Sequence, residues 1–391
     1  MISERPSLLV RSLFEPQPAG IEPFLERYTS HITFYGSGKA ALRDGLVDLV
    51  EPGENVLLPA YLPDAVVEPF YDLGLEPRYY RLEGTLAPDL ADVDRRLDGD
   101  TAVVVSVDYF GFPQPGIEEF TALIEEYDCY HVDDNAHGPL SVDDGTLLGT
   151  RGHLGITSLR KLLPIPDGAA LYCNDEAVAT AFEPSSLAGV RDRFGATDCR
   201  YVFKSLVHDL LETNATLRRS VDEVVADRSP AIPDPSTRYE ASKTPMSKLS
   251  ARVAADANPT AIRAARRENY LAWKRIFETR PGIDVRYESL PEGICPQVFP
   301  VRTDRPRRLL AELERCGVDG AHTWPRLSRT VRDNPDYDVS RRLAREVVVL
   351  PVHQHIDPTA IEDVGDRLRR FDETTPRLTT GKPERMNSRT D

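Results

Sequence analysis

The feature that most limits how this 391-residue chain can fold is a series of short apolar runs separated by helical stretches, continuing to about residue 180. Residues 101–111 (TAVVVSVDYFG) form the strongest run. They are apolar at both alternating sets of positions, which predicts a strand covered on both faces. Residues 33–35, 55–61, 130–134, 154–159 and 169–173 read as further strands. Between them, residues 40–50, 64–73 and 116–128 have helical spacing. In the last of these, Phe120, Leu123 and Ile124 share one side and carboxylates the other. This rhythm predicts an α/β fold: a large domain with a mostly parallel, mixed sheet covered by helices.

The rhythm fades after residue 180. Residues 176–225 read as largely helical, and 226–245, rich in Pro, Ser and Asp, as a linker or long loop. A helix is expected over 246–280, interrupted at Pro259. A strand at 294–301, a helix at 305–316, a strand at 347–351 and a helix at 359–371 then predict a small α+β domain. The expected division is a large domain over 1–245 and a smaller one, with its connecting helix, over 246–371. The polar, aperiodic residues 372–391 are expected to be a disordered tail.

Composition excludes several classes of function. A formal charge of −15 disfavours nucleic acid as a partner, because neutralising phosphates needs a basic face. No run reaches the roughly 18 apolar residues of a membrane span. The first residues lack the small-residue cleavage site of a secretion signal. Five scattered cysteines with no CxxC pair point to free thiols in a reducing cytoplasm. The basic residues are mostly arginine, so a lysine at a strand end is conspicuous.

Three motifs carry chemistry. Gly36-Ser37-Gly38-Lys39 is a turn between a strand and a helix, a setting that aims N–H groups and the helix dipole at an anion. It is not an ATP-binding P-loop, since Thr33 stands where a glycine is required and Ala40 where a hydroxyl is. Asp134 and His137 follow a strand in HVDDNAHG, where ligands gather in open α/β sheets. An Asp- and Asn-rich turn or a metal site using Asp133 would also account for that segment. Lys161 ends the run TSLRK beside Arg160. Its amine would be costly to bury unpaired, and it can form an imine with a carbonyl cofactor. A phosphate cradle, an acid and a lysine 27 residues beyond that acid, in this order, are the partners that pyridoxal 5′-phosphate (PLP) needs.

From about Phe34 to Phe371 the chain resembles the DegT/StrS-type sugar aminotransferases, also called the 3-amino-5-hydroxybenzoate synthase-like family. Ser37 to Leu42 resembles the family's SGTAAL loop, residues 51–61 (EPGENVLLPAY) its PGDEVLLPAYTF segment, and VDYFG its VHLYG. VDDNAH is similar to VIEDAAH. The spacing of Lys161 to Asp167-Gly168 matches that of the family's lysine to its GEGG turn, and VVLPVH resembles SLPLHP. The resemblance implies PLP-dependent fold type I, with Lys161 carrying PLP, Asp134 on the pyridine nitrogen and His137 supporting that contact. It implies phosphate contacts from Ser37, Gly38, Lys39 and Ser158, and a homodimer with shared sites. It further implies an amino donor, frequently glutamate, and a keto-sugar acceptor, often nucleotide-linked, as in polysaccharide or secondary-metabolite biosynthesis.

Several positions depart from the pattern. Lys39 replaces the loop threonine. Leu62-Pro63 replaces a Thr-aromatic pair, leaving Tyr61 as the candidate stacking ring. Asp108 stands for the histidine of VHLYG. Lys243-Thr244-Pro245 replaces an Asn-x-Arg pattern that reaches the neighbouring subunit's site, leaving Lys243 as the nearest cation. Another PLP reaction such as elimination, or a non-catalytic sugar-binding homologue, are the alternatives these changes raise. Trp273 and Trp324 read as packing residues, and residues 263–267 as a solvated arginine face.

Overall fold

The computed structural model describes residues 2–6, 20–212 and 234–374. The first strands are β1 (Ile32–Tyr35), β2 (Asn55–Pro59), β3 (Glu76–Tyr80), β4 (Thr101–Val107) and β5 (Tyr130–Asn135). A small hairpin of β6 (Val142–Asp143) and β7 (Thr146–Leu147) follows, then β8 (Leu154–Thr157) and β9 (Ala169–Cys173). Seven of these make one sheet in the order β1-β9-β8-β5-β4-β2-β3. From β8 to β3 every pairing is parallel, and β9 alone runs against both its neighbours. Every residue of β2, β4 and β9 is buried, which is why these segments read as unbroken apolar runs.

The reversal at β9 fixes the position of the conspicuous lysine. The connection from β8 to β9 holds only a 3₁₀ turn, Leu159–Lys161, and no crossover helix, so the chain must return antiparallel. Lys161 therefore sits just past the carboxyl end of β8. Register places Asn135 opposite Thr157, and Asp134 opposite Val107. The ends of β4, β5 and β8 thus bring Asp108, Asp134 and Lys161 to one edge of the sheet.

A second, fully antiparallel sheet consists of β10 (Asp284–Val285), β11 (Val298–Arg302), β12 (His322–Thr323) and β13 (Val347–Pro351), in the order β10-β11-β13-β12. The long helix Pro259–Phe277 packs against β11 and the helix Pro358–Thr374. Trp273 is fully buried there and donates Nε1–H to the Pro351 carbonyl at 2.9 Å. Among the described residues no helix is long and apolar enough to cross a membrane. All five cysteines are free.

Some local expectations need correction. The expected loop over 226–245 contains a helix, Pro235–Ser242, started by Asp234, which caps the Thr237 N–H at 3.0 Å, and by a proline in its first turn. Its residues 226–233 lie outside the described residues. The interruption at Pro259 is real: one helix, Lys248–Asp256, ends before it and the next begins on it, capped by Asn258. Over 176–225 two helices, Glu176–Ala181 and Ala196–Glu212, are separated by irregular chain, and 213–225 is outside the described residues. The last helix runs to Thr374, into the expected tail, whose remaining residues 375–391 are also outside. The arginine face at 263–267 is not fully solvated. Arg266 is 1% exposed, and Arg267 donates to the Ile294 carbonyl at 3.1 Å.

Candidate active site

The site is built around the Lys161 turn. The Lys161 N–H donates to the Ser158 carbonyl at 3.1 Å, closing the turn. The Arg160 N–H reaches the Gly168 carbonyl at 3.3 Å, and the Gly168 N–H donates to the Gly36 carbonyl at 2.8 Å. The glycine-rich turn is thereby stitched to the lysine turn. Gly36 has no room for a side chain, since a Cβ there would stand 2.6 Å from the Thr244 carbonyl oxygen. Ser37 caps the helix Gly38–Leu46 by accepting from the Ala40 N–H at 3.1 Å. The remaining N–H groups of that first turn, with the positive end of the helix dipole, suit a phosphate.

Asp134 and Asp133 are neighbours on β5 and point to opposite faces. Asp133 is structural: it accepts from the N–H groups of Gly149 at 3.0 Å and Arg151 at 3.1 Å, and from Ser106 Oγ at 3.2 Å. Among the described residues the Asp134 carboxylate accepts from the Ala136 N–H alone, at 2.9 Å, and interacts with Lys161 by charge. Burial raises its carboxyl above the usual range, opposed by the Lys161 cation. Burial in turn lowers the Lys161 amine to about 8; Asp134 opposes this, while Arg160 and Arg5 add to it. Asp108 is buried, and burial together with the Asp133 charge holds its carboxyl well above the ordinary carboxylate range.

His137 is fixed from several sides. Its Nδ1 accepts the Phe110 N–H at 3.1 Å, so the ring proton is on Nε2. Its ring stacks on Phe110, with centroids 6.1 Å apart, and meets the Trp324 ring at 74°. Burial, with the Lys161 charge adding to it, keeps the imidazole neutral. Phe110 itself has φ 62, a conformation a non-glycine residue adopts only when its surroundings impose it. Here its N–H is held by His137, and its carbonyl accepts from the Gln297 N–H at 2.8 Å.

Lys161 and His137 line a cavity of about 260 Å³ with Phe110, Arg160, Trp324 and His353. Three residues expected at the cofactor make other contacts within this chain. Tyr61 is fully buried and donates its hydroxyl to the Trp324 carbonyl at 2.6 Å, so its ring supports Trp324 and does not line the cavity. Lys243 pairs with Asp72 and Glu240, each at 2.8 Å. The Lys39 ammonium lies over the Tyr239 ring, 5.2 Å from its centroid. Gly36, which leads into Ser37 and Gly38, adjoins the lysine turn through Gly168, and Ser158 begins that turn as a buried residue.

Sequence reasoning missed Trp324, Phe110, Arg5 and Arg266 as parts of the site. Arg266 donates to the carbonyls of Leu162 at 3.1 Å, Pro296 at 3.2 Å and Gln297 at 3.2 Å, and to Gln354 Oε1 at 3.1 Å. It ties the lysine turn to the chain around the second sheet. Its place in an arginine run hid this, because a solvated helix face has the same composition.

A strand-end lysine with a lowered pKa, an acid facing it and a helix start built for phosphate fit PLP. On this sheet topology they define a PLP-dependent enzyme of the aminotransferase class. The model of the DegT/DnrJ/EryC1/StrS aminotransferase family matches residues 23–216, and the chain belongs to that family. Among solved structures, the aminotransferase TlmJ from Streptoalloteichus hindustanus is similar over 95% of this chain and 98% of its own, at 18% identity and a TM-score of 0.67. PseC of Helicobacter pylori, an aminotransferase involved in the biosynthesis of pseudoaminic acid, is similar over 96% of this chain and 100% of its own, at 12% identity and a TM-score of 0.66. The GDP-4-keto-6-deoxymannose-3-dehydratase ColD matches 94% of this chain and 100% of its own, at 13% identity and a TM-score of 0.64. At these identities the likeness is one of fold.

Proposed function

We propose that the protein transfers an amino group from a small donor, glutamate being the first candidate, to a keto-sugar, often a nucleotide-linked one. The observation that carries this reading is Lys161: a lysine at the carboxyl end of β8, lowered to about 8, lining a cavity and opposed by the buried Asp134. When bound, PLP supplies an electron sink for the bonds at the donor's Cα. Lys161 would hold PLP covalently and, once displaced by the donor amine, move the proton taken from that Cα. Asp134 would sit against the pyridine nitrogen, where a facing cation offsets the cost of its buried charge. His137 stays neutral and orients the acidic strand end. The helix start at Ser37 and Gly38 would hold the phosphate.

The cavity is lined both by residues after β8 and by residues of the second sheet. That supports the division into 1–245 and 246–371. A homodimer and a cytoplasmic location complete the proposal.

The test is to load the protein with PLP and add L-glutamate, then a panel of nucleotide-linked keto-sugars. Expected are a spectral change with glutamate, reversal with one acceptor, and an aminated sugar by mass spectrometry. A dehydrated sugar with no nitrogen gained would replace amino transfer with elimination. No reaction with any donor or acceptor would leave a sugar-binding role.

A further inference from the structure

Residues 2–6 cross the mouth of the Lys161 cavity. Ile2 is buried and bridges to Val318, donating its N–H to the Gly317 carbonyl at 2.8 Å and accepting from the Asp319 N–H at 3.1 Å. The Ser3 carbonyl accepts from His353 Nε2 at 3.0 Å. Gly320 makes room for the segment, since a Cβ there would stand 2.5 Å from the Glu4 nitrogen. Held in this way, Glu4, Arg5 and Pro6 line the Lys161 cavity. With Arg160, the same three residues also line a second cavity of about 720 Å³, which extends to Arg200 and Tyr201.

Arg5 and Arg160 therefore stand where the two cavities meet. The ionic partner of Arg5 is Glu4 at 3.4 Å, with both side chains more than half exposed, a setting in which an ion pair contributes little. The charge that acts most strongly on Arg160 is that of Arg5, and it is repulsive. The exposed Glu4 carboxylate is the charge these two arginines share, and it leaves most of their donors to the cavities they line. An anion between them relieves the repulsion and fills two planar donor forks.

We propose that Arg5 and Arg160 bind an anionic oxygen group of the substrate, a carboxylate or a phosphate, at the junction of the two cavities while the reacting end lies against Lys161. This rests on the functional reading above. It gives that site a cation from residues 2–6, where Lys243 is engaged by Asp72 and Glu240. A substrate that extends beyond its anionic group would place the remainder in the larger cavity.

Calorimetric titration of the PLP-loaded protein with inorganic pyrophosphate, and separately with L-glutamate, tests this in the wild type, Arg5→Gln, Arg160→Gln and the double variant. Both side chains are exposed, so the variants are expected to fold with little change in stability. The expected result is a loss of about tenfold or more in affinity for one of the two anions in each single variant, and a larger loss in the double. Each variant should still carry the cofactor, read as the pyridoxyl adduct by mass after borohydride reduction, so that a loss of anion affinity is not a loss of cofactor. A loss for pyrophosphate assigns the site to a phosphate, and a loss for glutamate assigns it to the donor carboxylate. Absence of binding of either anion to the wild type, or equal affinities in wild type and double variant, overturns the proposal. A wild type without cofactor absorbance sinks the PLP reading instead. The titrations still report on the arginine pair in that case.

Discussion

The lowered pKa of Lys161 has a kinetic consequence that can be worked through. Only the neutral amine attacks a carbonyl carbon. With the amine at about 8, about a tenth of it is neutral at pH 7, against about 0.03% at the ordinary lysine value near 10.5, a ratio of roughly 300. Burial is the main cause, so the advantage belongs to the folded protein and not to a lysine as such. The assay is the second-order rate of PLP capture by the cofactor-free protein, followed by absorbance from about pH 6 to pH 10. The rate should rise about tenfold per pH unit and level off near pH 8. Asp134→Asn removes the carboxylate that opposes the shift and should move the break to lower pH. Arg160→Gln removes a repelling cation and should move it to higher pH. A rate still climbing at pH 10, or variants that shift the break the other way, would refute the placement of Lys161 in a desolvated cavity facing Asp134.

Other variants probe the supports of the site. The same lysine affects stability: its folded-state pKa lies below its unfolded value, so between about pH 8 and 10.5 the unfolded chain holds the proton and stability rises with pH. Urea unfolding of the cofactor-free wild type, compared with Lys161→Met, should show that pH-dependent difference and lose it below pH 7. His137→Phe keeps an aromatic ring but leaves the Phe110 N–H without its acceptor, which should cost about 1–3 kcal/mol by thermal unfolding. Arg266→Met keeps the apolar stem but strips donors from the carbonyls of Leu162, Pro296 and Gln297. A loss of about 2–4 kcal/mol, with weaker cofactor retention in dialysis, is expected.

How much was legible in the sequence follows from where each signal comes from. The parallel strands β2 and β4 were readable because strands buried on both faces are largely apolar. β3 escaped notice because it is an edge strand: Glu76-Pro77-Arg78 carries charge and a proline that a central strand would reject. Lys161 and Asp134 were legible because strand ends place them, and strand ends are local features. The Trp324, Arg5 and Arg266 contacts were not. Each depends on a meeting of segments far apart in the chain, as when residues 2–6 dock on Val318 and His353. The contacts of Tyr61, Lys39 and Lys243 with Trp324, Tyr239 and Asp72 were hidden for a similar reason, since each joins distant segments.

The central claim is that Lys161 carries the cofactor, and borohydride reduction of the PLP-loaded protein followed by peptide mass mapping tests it most directly. The account predicts one pyridoxyl adduct, on the peptide containing Lys161, and none in Lys161→Ala. An adduct on Lys39 or Lys243, or no adduct at all, would contradict it.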